Sequence, residues 1–165
     1  MSNFTFHPTE IPGVYIIDVK SYGDRRGYFM ETYKESDFRE AGLNYTFVQD
    51  NQSASRKGVL RGEVFDVAVD LRAGSATYGK WVGALLSGEN HRQLMIPRGF
   101  AHGFVVVSES AEFAYKCDDF YHPEDEGGIM WNDPAIGIEW PDVGEILLSE
   151  KDQHHPSFAE ANITF

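Results

Sequence analysis

The chain has 165 residues, 42% of them hydrophobic, and carries 14 basic against 26 acidic side chains for a net charge of −12. That is enough apolar material for one substantial core and fits a single domain over residues 1–165 better than two. A field of that sign repels phosphate backbones and anionic bilayers and so argues against nucleic-acid and membrane partners; a phosphorylated small molecule stays open, because a few arginines in a cleft can reverse the local potential.

Cys117 is the single cysteine, so no internal disulfide is available, and Met1 leads into a polar segment without a signal peptide's apolar core. A cytoplasmic protein is expected. In chain order, short strand-like runs fall at 13–19, 28–33 and 45–51, separated by glycines and polar residues. Only 34–41 has a helical look, with Ser36 as its N-cap. Phe65, Val67, Val69 and Leu71 then alternate with Asp66, Ala68 and Asp70, the period of a half-buried strand. Further runs follow at 80–86, 93–96 and 103–107, and Phe113, Tyr115 and Cys117 repeat the alternation. Many short strands with turn signals between them predict an all-β sandwich or jelly roll.

Eight segments carry more specific information. They are Asp24-Arg25-Arg26-Gly27-Tyr28-Phe29-Met30-Glu31, Val48-Gln49-Asp50-Asn51-Gln52-Ser53, Gly58-Val59-Leu60-Arg61-Gly62 and the run from Glu63 through Arg72. After these come Ile96-Pro97-Arg98-Gly99-Phe100-Ala101-His102-Gly103-Phe104, Tyr115-Lys116-Cys117, Trp131-Asn132-Asp133-Pro134 and Leu148-Ser149-Glu150-Lys151-Asp152. Together, and in this order, they resemble the dTDP-4-dehydrorhamnose 3,5-epimerase family over nearly the whole chain. The resemblance implies a cupin-like antiparallel jelly roll with one short helix, and a substrate that is a dTDP-linked 4-keto sugar of rhamnose biosynthesis. It implies an isomerase that inverts the two carbons flanking the ketone by removing a proton and returning one on the other face. Such chemistry needs a base, an opposed acid and donors for the enolate, and no metal or redox cofactor.

By this resemblance Tyr115 is the catalytic acid, and a phenol with an ordinary pKa near ~10 keeps its proton for delivery at neutral pH. Read alone it is a strand tyrosine packing a core. His102 matches a substrate-contacting histidine near the enolate; a lone histidine is more often a core residue tied to a carbonyl. Arg26, Phe29, Glu31, Gln49 and Asn51 match the nucleotide-holding positions, Arg61 a diphosphate-side arginine, and Tyr121 a residue stacked on the nucleotide-sugar. Forked arginine donors suit phosphate oxygens and a phenyl ring suits a base. In the family Arg26, Phe29 and Glu31 reach the neighbour's pocket, which implies a homodimer. No His-x-His pair exists, and the adjacent His154 and His155 make a poor chelate on an extended chain, so no metal is expected. Cys117 reads as a packed, inert thiol.

The chain departs from the family at one place. There Leu-Arg-Gly runs into Leu-His-Tyr-Gln, whose histidine is the base, and a lysine that stabilises the enolate follows on the next strand. Here Gly62 is followed directly by Glu63-Val64-Phe65-Asp66. The join reads as a deletion of roughly 20 residues, about two strands with their turn. Asp152, which orients that histidine in the family, keeps no partner and should turn to solvent or take up a proton. Three readings stay open on these grounds: an epimerase with residual activity, an inactive dTDP-sugar-binding protein, and a truncated chain whose motifs report ancestry.

Overall fold

The structure is a computed structural model and describes residues 2–55, 62–161 and 163. Ten strands carry the fold: β1 (Phe4–Pro8), β2 (Tyr15–Val19), β3 (Ser21–Asp24), β4 (Gly27–Met30), β5 (Gln49–Ser55), β6 (Glu63–Asp70), β7 (Trp81–Ser87), β8 (Arg92–Met95), β9 (Phe100–Val106) and β10 (Ala111–Cys117). One short helix, α1 (Glu35–Glu40), lies between β4 and β5. Every ladder is antiparallel, in the orders β1-β2-β8, β7-β6-β9, β5-β10 and β3-β4. This is the strand-rich class that the alternation predicted and the antiparallel jelly roll with one short helix that the family resemblance implied.

The layers follow from strand parity, because successive side chains on a strand point to opposite faces. Phe4, Ile17, Val19 and Met95 project from the β1-β2-β8 sheet onto Phe38 of α1 and Leu43, and Phe6, Tyr33 and Phe47 complete that cluster. Ile16 and Leu94 point the other way and meet Val64, Ala84 and Leu86 of the β7-β6-β9 sheet together with Ala111 and Phe113 of β10. The far face of the β7-β6-β9 sheet, with Val67 and Val69, is covered by Ile129, Ile136, Ile138, Trp140 and Phe158 of the C-terminal segment.

Two expectations need correction. The alternation from Phe65 to Leu71 predicted a half-buried strand, yet β6 is buried on both faces from Asp66 to Asp70. The physical reason is that both faces of the sheet are covered, one by β2, β8 and β10 and the other by the C-terminal segment, and each aspartate on its "polar" parity has found partners. Asp70, 0% exposed, accepts hydrogen bonds from Arg72 Nε and Nη2 at 2.8 and 2.7 Å, Ser75 Oγ at 2.7 Å and Thr77 Oγ1 at 2.6 Å. The Arg72 guanidinium chiefly, against the opposing effect of burial, and then the Thr77 and Ser75 hydroxyls hold its carboxyl well below the usual carboxylate range. The second correction concerns α1, whose N-cap is Lys34 with no side-chain cap bond. Ser36 lies inside the helix and its hydroxyl bonds Asp37 Oδ1 at 3.1 Å, so Asp37, which also pairs with Lys34 at 3.0 Å, anchors that turn.

Candidate functional site

The β5–β10 ladder sets out one wall. In its register Asn51 stands opposite Tyr115, Gln49 opposite Cys117 and Ser53 opposite Phe113, so these side chains share one face. Gln49 Nε2 donates to Asn51 Oδ1 at 2.9 Å, and Asn51 Nδ2 lies 3.6 Å from Cys117 Sγ. Cys117 is half-buried and sits at the end of this amide chain. The end of the wall after Cys117 is fastened from the loop before β9: Arg98 Nε donates to Asp118 Oδ2 at 2.7 Å and Nη2 to the Asp118 carbonyl at 2.9 Å.

The opposing wall is β9 on β6. His102 is opposite Ala68 and Phe104 opposite Asp66, which places His102, Phe104 and Asp66 on one face. His102 Nε2 lies 2.6 Å from Asp66 Oδ1, and the Asp66 side chain is 3% exposed against 37% for His102. The backbone-tied core histidine of the bland reading is therefore replaced by a histidine paired with a buried carboxylate. Phe113 links the walls: its ring centroid is 4.5 Å from Phe104, 6.2 Å from His102 and 6.0 Å from Tyr115. The space stays open, since Tyr115 is 44% and Phe104 37% exposed.

The remaining residues singled out in the sequence are distributed as follows. Arg26 and Phe29 sit on the β3–β4 hairpin, which bonds to no other sheet, and are directed to solvent. Among the described residues Arg26 pairs with Asp24 of its own turn, Nη2 to Oδ2 at 2.7 Å. Glu31 Oε2 accepts from Asn3 Nδ2 at 3.1 Å. Tyr121 is exposed, and its hydroxyl donates to Glu126 Oε2 at 2.9 Å, which also takes Lys151 Nζ at 2.6 Å. That bond to Glu126 raises the Tyr121 phenol above its ordinary value. The same clasp ties the loop after β10 to the segment bearing Asp152. Asp152 is solvent-exposed and is bonded by Ser149 Oγ at 2.7 Å, with His155 Nε2 at 3.4 Å. Arg61 lies outside the described residues.

Asp66, Phe104 and Phe113 were not singled out in the sequence. Asp66 stands 36 positions from His102, and only the β6–β9 register joins them. Among the described residues one group of metal-capable side chains occurs, His122, Glu124 and Asp125, all exposed on the surface where such groups are common without an ion. A cleft of about 700 Å³ beside β7, lined by Glu10, Tyr78, Lys80, Trp81 and Phe158 among others, contains none of the site residues. Among the described residues no helix is long and apolar enough to cross a membrane.

The fold is an antiparallel jelly roll of the cupin-like class, with Tyr115, the paired His102 and Asp66 and the amides of Gln49 and Asn51 displayed on two strand ladders joined through Phe113. The family model for dTDP-4-dehydrorhamnose 3,5-epimerase matches residues 8–63 and 59–160. A dTDP-4-dehydrorhamnose 3,5-epimerase of Pseudomonas aeruginosa is 52% identical over 171 residues, covering 92% of this chain and 94% of that one. The enzyme of that name from Methanothermobacter thermautotrophicus is 48% identical over 174 residues, covering 93% and 94%. The crystal structure of dTDP-6-deoxy-D-glucose-3,5-epimerase from Legionella pneumophila, in complex with dTDP-4-keto-L-rhamnose, superposes with a TM-score of 0.90 at 46% identity, covering 96% of this chain and 95% of that one. The chain belongs to the dTDP-4-dehydrorhamnose 3,5-epimerase family.

Proposed function

We propose that this chain binds a dTDP-linked 4-keto-6-deoxy sugar between the β5–β10 and β6–β9 walls and is a family epimerase that has lost its principal base, so that it inverts its substrate only slowly. The observation that carries the reading is the register that sets Tyr115 beside Asn51 and Gln49, across Phe113 from the paired His102. Tyr115 is the proton donor in this reading, the amides hold the nucleotide, His102 lies beside the sugar's ketone, and Arg61 is by resemblance the diphosphate-side arginine. Binding of dTDP-4-keto-L-rhamnose by the Legionella relative supports the substrate class.

The lengths of the matches support the loss after Gly62. The Methanothermobacter match extends over 174 residues, whereas 93% of this 165-residue chain is about 153 residues, which leaves about 21 positions of the match without a counterpart here. The family model matches in two pieces that meet at 59–63, the place of the join. A positioned base is worth roughly 10²–10⁴ in rate, and its loss leaves a donor without a strong acceptor. The solvated Arg26 and Phe29 on a hairpin that joins no other sheet support a homodimer in which they enter the partner's pocket.

The test is a pair of measurements on the full chain. dTDP at millimolar concentration should raise the melting temperature, because a ligand that binds only the folded state stabilises it by mass action. Deuterium from solvent should enter dTDP-4-dehydro-6-deoxyglucose far more slowly than about 1 per second, a rate at the low end of ordinary enzymes. Absence of the thermal shift overturns the binding reading, and fast exchange overturns the missing base.

A further inference from the structure

The pairing of His102 with Asp66 gives the site a second possible base. Asp66 is 2% exposed, and among the described residues its one hydrogen-bond partner is His102 Nε2 at 2.6 Å. An acceptor-only carboxylate at that distance requires the ring proton on Nε2, which leaves the lone pair on Nδ1. Nδ1 has no hydrogen-bond partner among the described residues, and the His102 side chain is 37% exposed. Its plane is nearly parallel to Phe113, at 23°, which limits the orientations the ring can take. A carboxylate that fixes the tautomer and stabilises the imidazolium is the arrangement by which histidine becomes a general base.

We propose that His102, oriented by Asp66, is the working base of this chain for the residual proton transfer. This rests on the binding reading above and assigns the chemistry within it. Nδ1 takes the proton from the carbon beside the ketone, the C–H electron pair passes into the enolate, and the charge settles on the carbonyl oxygen. Reprotonation at carbon, by the Tyr115 hydroxyl from the facing strand or by solvent, regenerates the ketone. His102 then releases its proton to water, and a tyrosinate so formed recovers one. No oxidant, reductant or metal enters the balance. Asp66 touches no substrate and is a positioning residue.

The test follows deuterium incorporation into the dTDP-linked 4-keto sugar by the full chain, with the dTDP thermal shift recorded for every variant. The unmodified chain should exchange slowly but above the rate in buffer. His102→Ala should lower that rate by about 100-fold or to the buffer rate, the ordinary cost of losing a general base, and added imidazole should restore part of it. Asp66→Asn, which keeps the side chain's shape, should lower kcat at least about 10-fold with little change in KM, since it disturbs orientation and not binding. The dTDP shift should persist in each. Exchange by the unmodified chain no faster than buffer, or by His102→Ala as fast as the unmodified chain, overturns the inference while the dTDP shift leaves the binding reading standing. Failure of imidazole to rescue a folded, dTDP-binding His102→Ala chain assigns the loss to structure and also overturns it. Loss of the dTDP shift in the unmodified chain overturns the reading beneath.

Discussion

Gly62→Ala probes how the start of β6 packs against β10. A Cβ at Gly62 would sit 2.2 Å from Ala111 Cα and 2.3 Å from the Ser110 carbonyl oxygen, where ordinary contact begins near 3.4 Å. Both obstacles are backbone, so the segment carrying Ala111 into β10 or the start of β6 must shift by more than about 1 Å, the kind of overpacking that costs about 1–3 kcal/mol or more. Glu63 adds to the constraint, because its amide donates to Ser108 Oγ at 2.8 Å and its carbonyl accepts from the Val107 amide at 2.9 Å. At about 2–4 °C per kcal/mol for a chain of this size, the melting temperature should fall by about 3–10 °C. The control is Gly103→Ala on β9, where nothing lies within 4 Å of the added carbon and little change is expected. Thermal denaturation followed by circular dichroism measures both. A Gly62→Ala protein melting within about 1 °C of the parent would refute the close approach of Gly62 to β10.

Other outcomes follow from the same geometry. Asp70→Asn removes the charge from a fully buried carboxylate bound by the one-third-exposed Arg72, and the weakened charged hydrogen bonds should cost about 1.5–3 kcal/mol in denaturant unfolding. Because the Asp70 pKa lies below its ordinary 3.8 in the folded chain, its contribution is present above about pH 4 and is lost as pH falls below that; the deficit of Asp70→Asn against the parent should therefore be large at pH 6 and shrink at pH 2.5. In a chain with the base strand restored, Tyr115→Phe and Asp152→Asn should each reduce exchange at least about 10-fold, the first by removing the returning proton and the second by removing the histidine's orienting charge. Light scattering at micromolar concentration should give a dimer, and a monomer there would remove the support for Arg26 and Phe29 acting in a partner's pocket.

The sequence made the strand-rich fold legible because alternation is local: Phe65, Val67 and Val69 announce β6, and Phe113, Tyr115 and Cys117 announce β10. β1 and β3 carried weaker signals, the first ending at Pro8 and the second holding Gly23 and only one aromatic residue, Tyr22. Burial on both faces of β6 was not legible, since it depends on the layers packed over each face and on partners such as His102 that are distant in the chain. For the same reason His102 could be placed in the site by its motif, whereas the carboxylate that fixes its tautomer emerged only from the register of β6 with β9. Tyr115, Gln49 and Asn51 were named separately, and the β5–β10 ladder made them one surface.

The central claim is that the segment lost after Gly62 held the principal base. It is tested most directly by inserting a Leu-His-Tyr-Gln strand and its lysine-bearing partner after Gly62 and comparing solvent deuterium exchange into dTDP-4-dehydro-6-deoxyglucose with that of the unmodified chain. The account predicts a gain of roughly 10²–10⁴ on insertion. Exchange by the unmodified chain at about 1 per second or faster would contradict it.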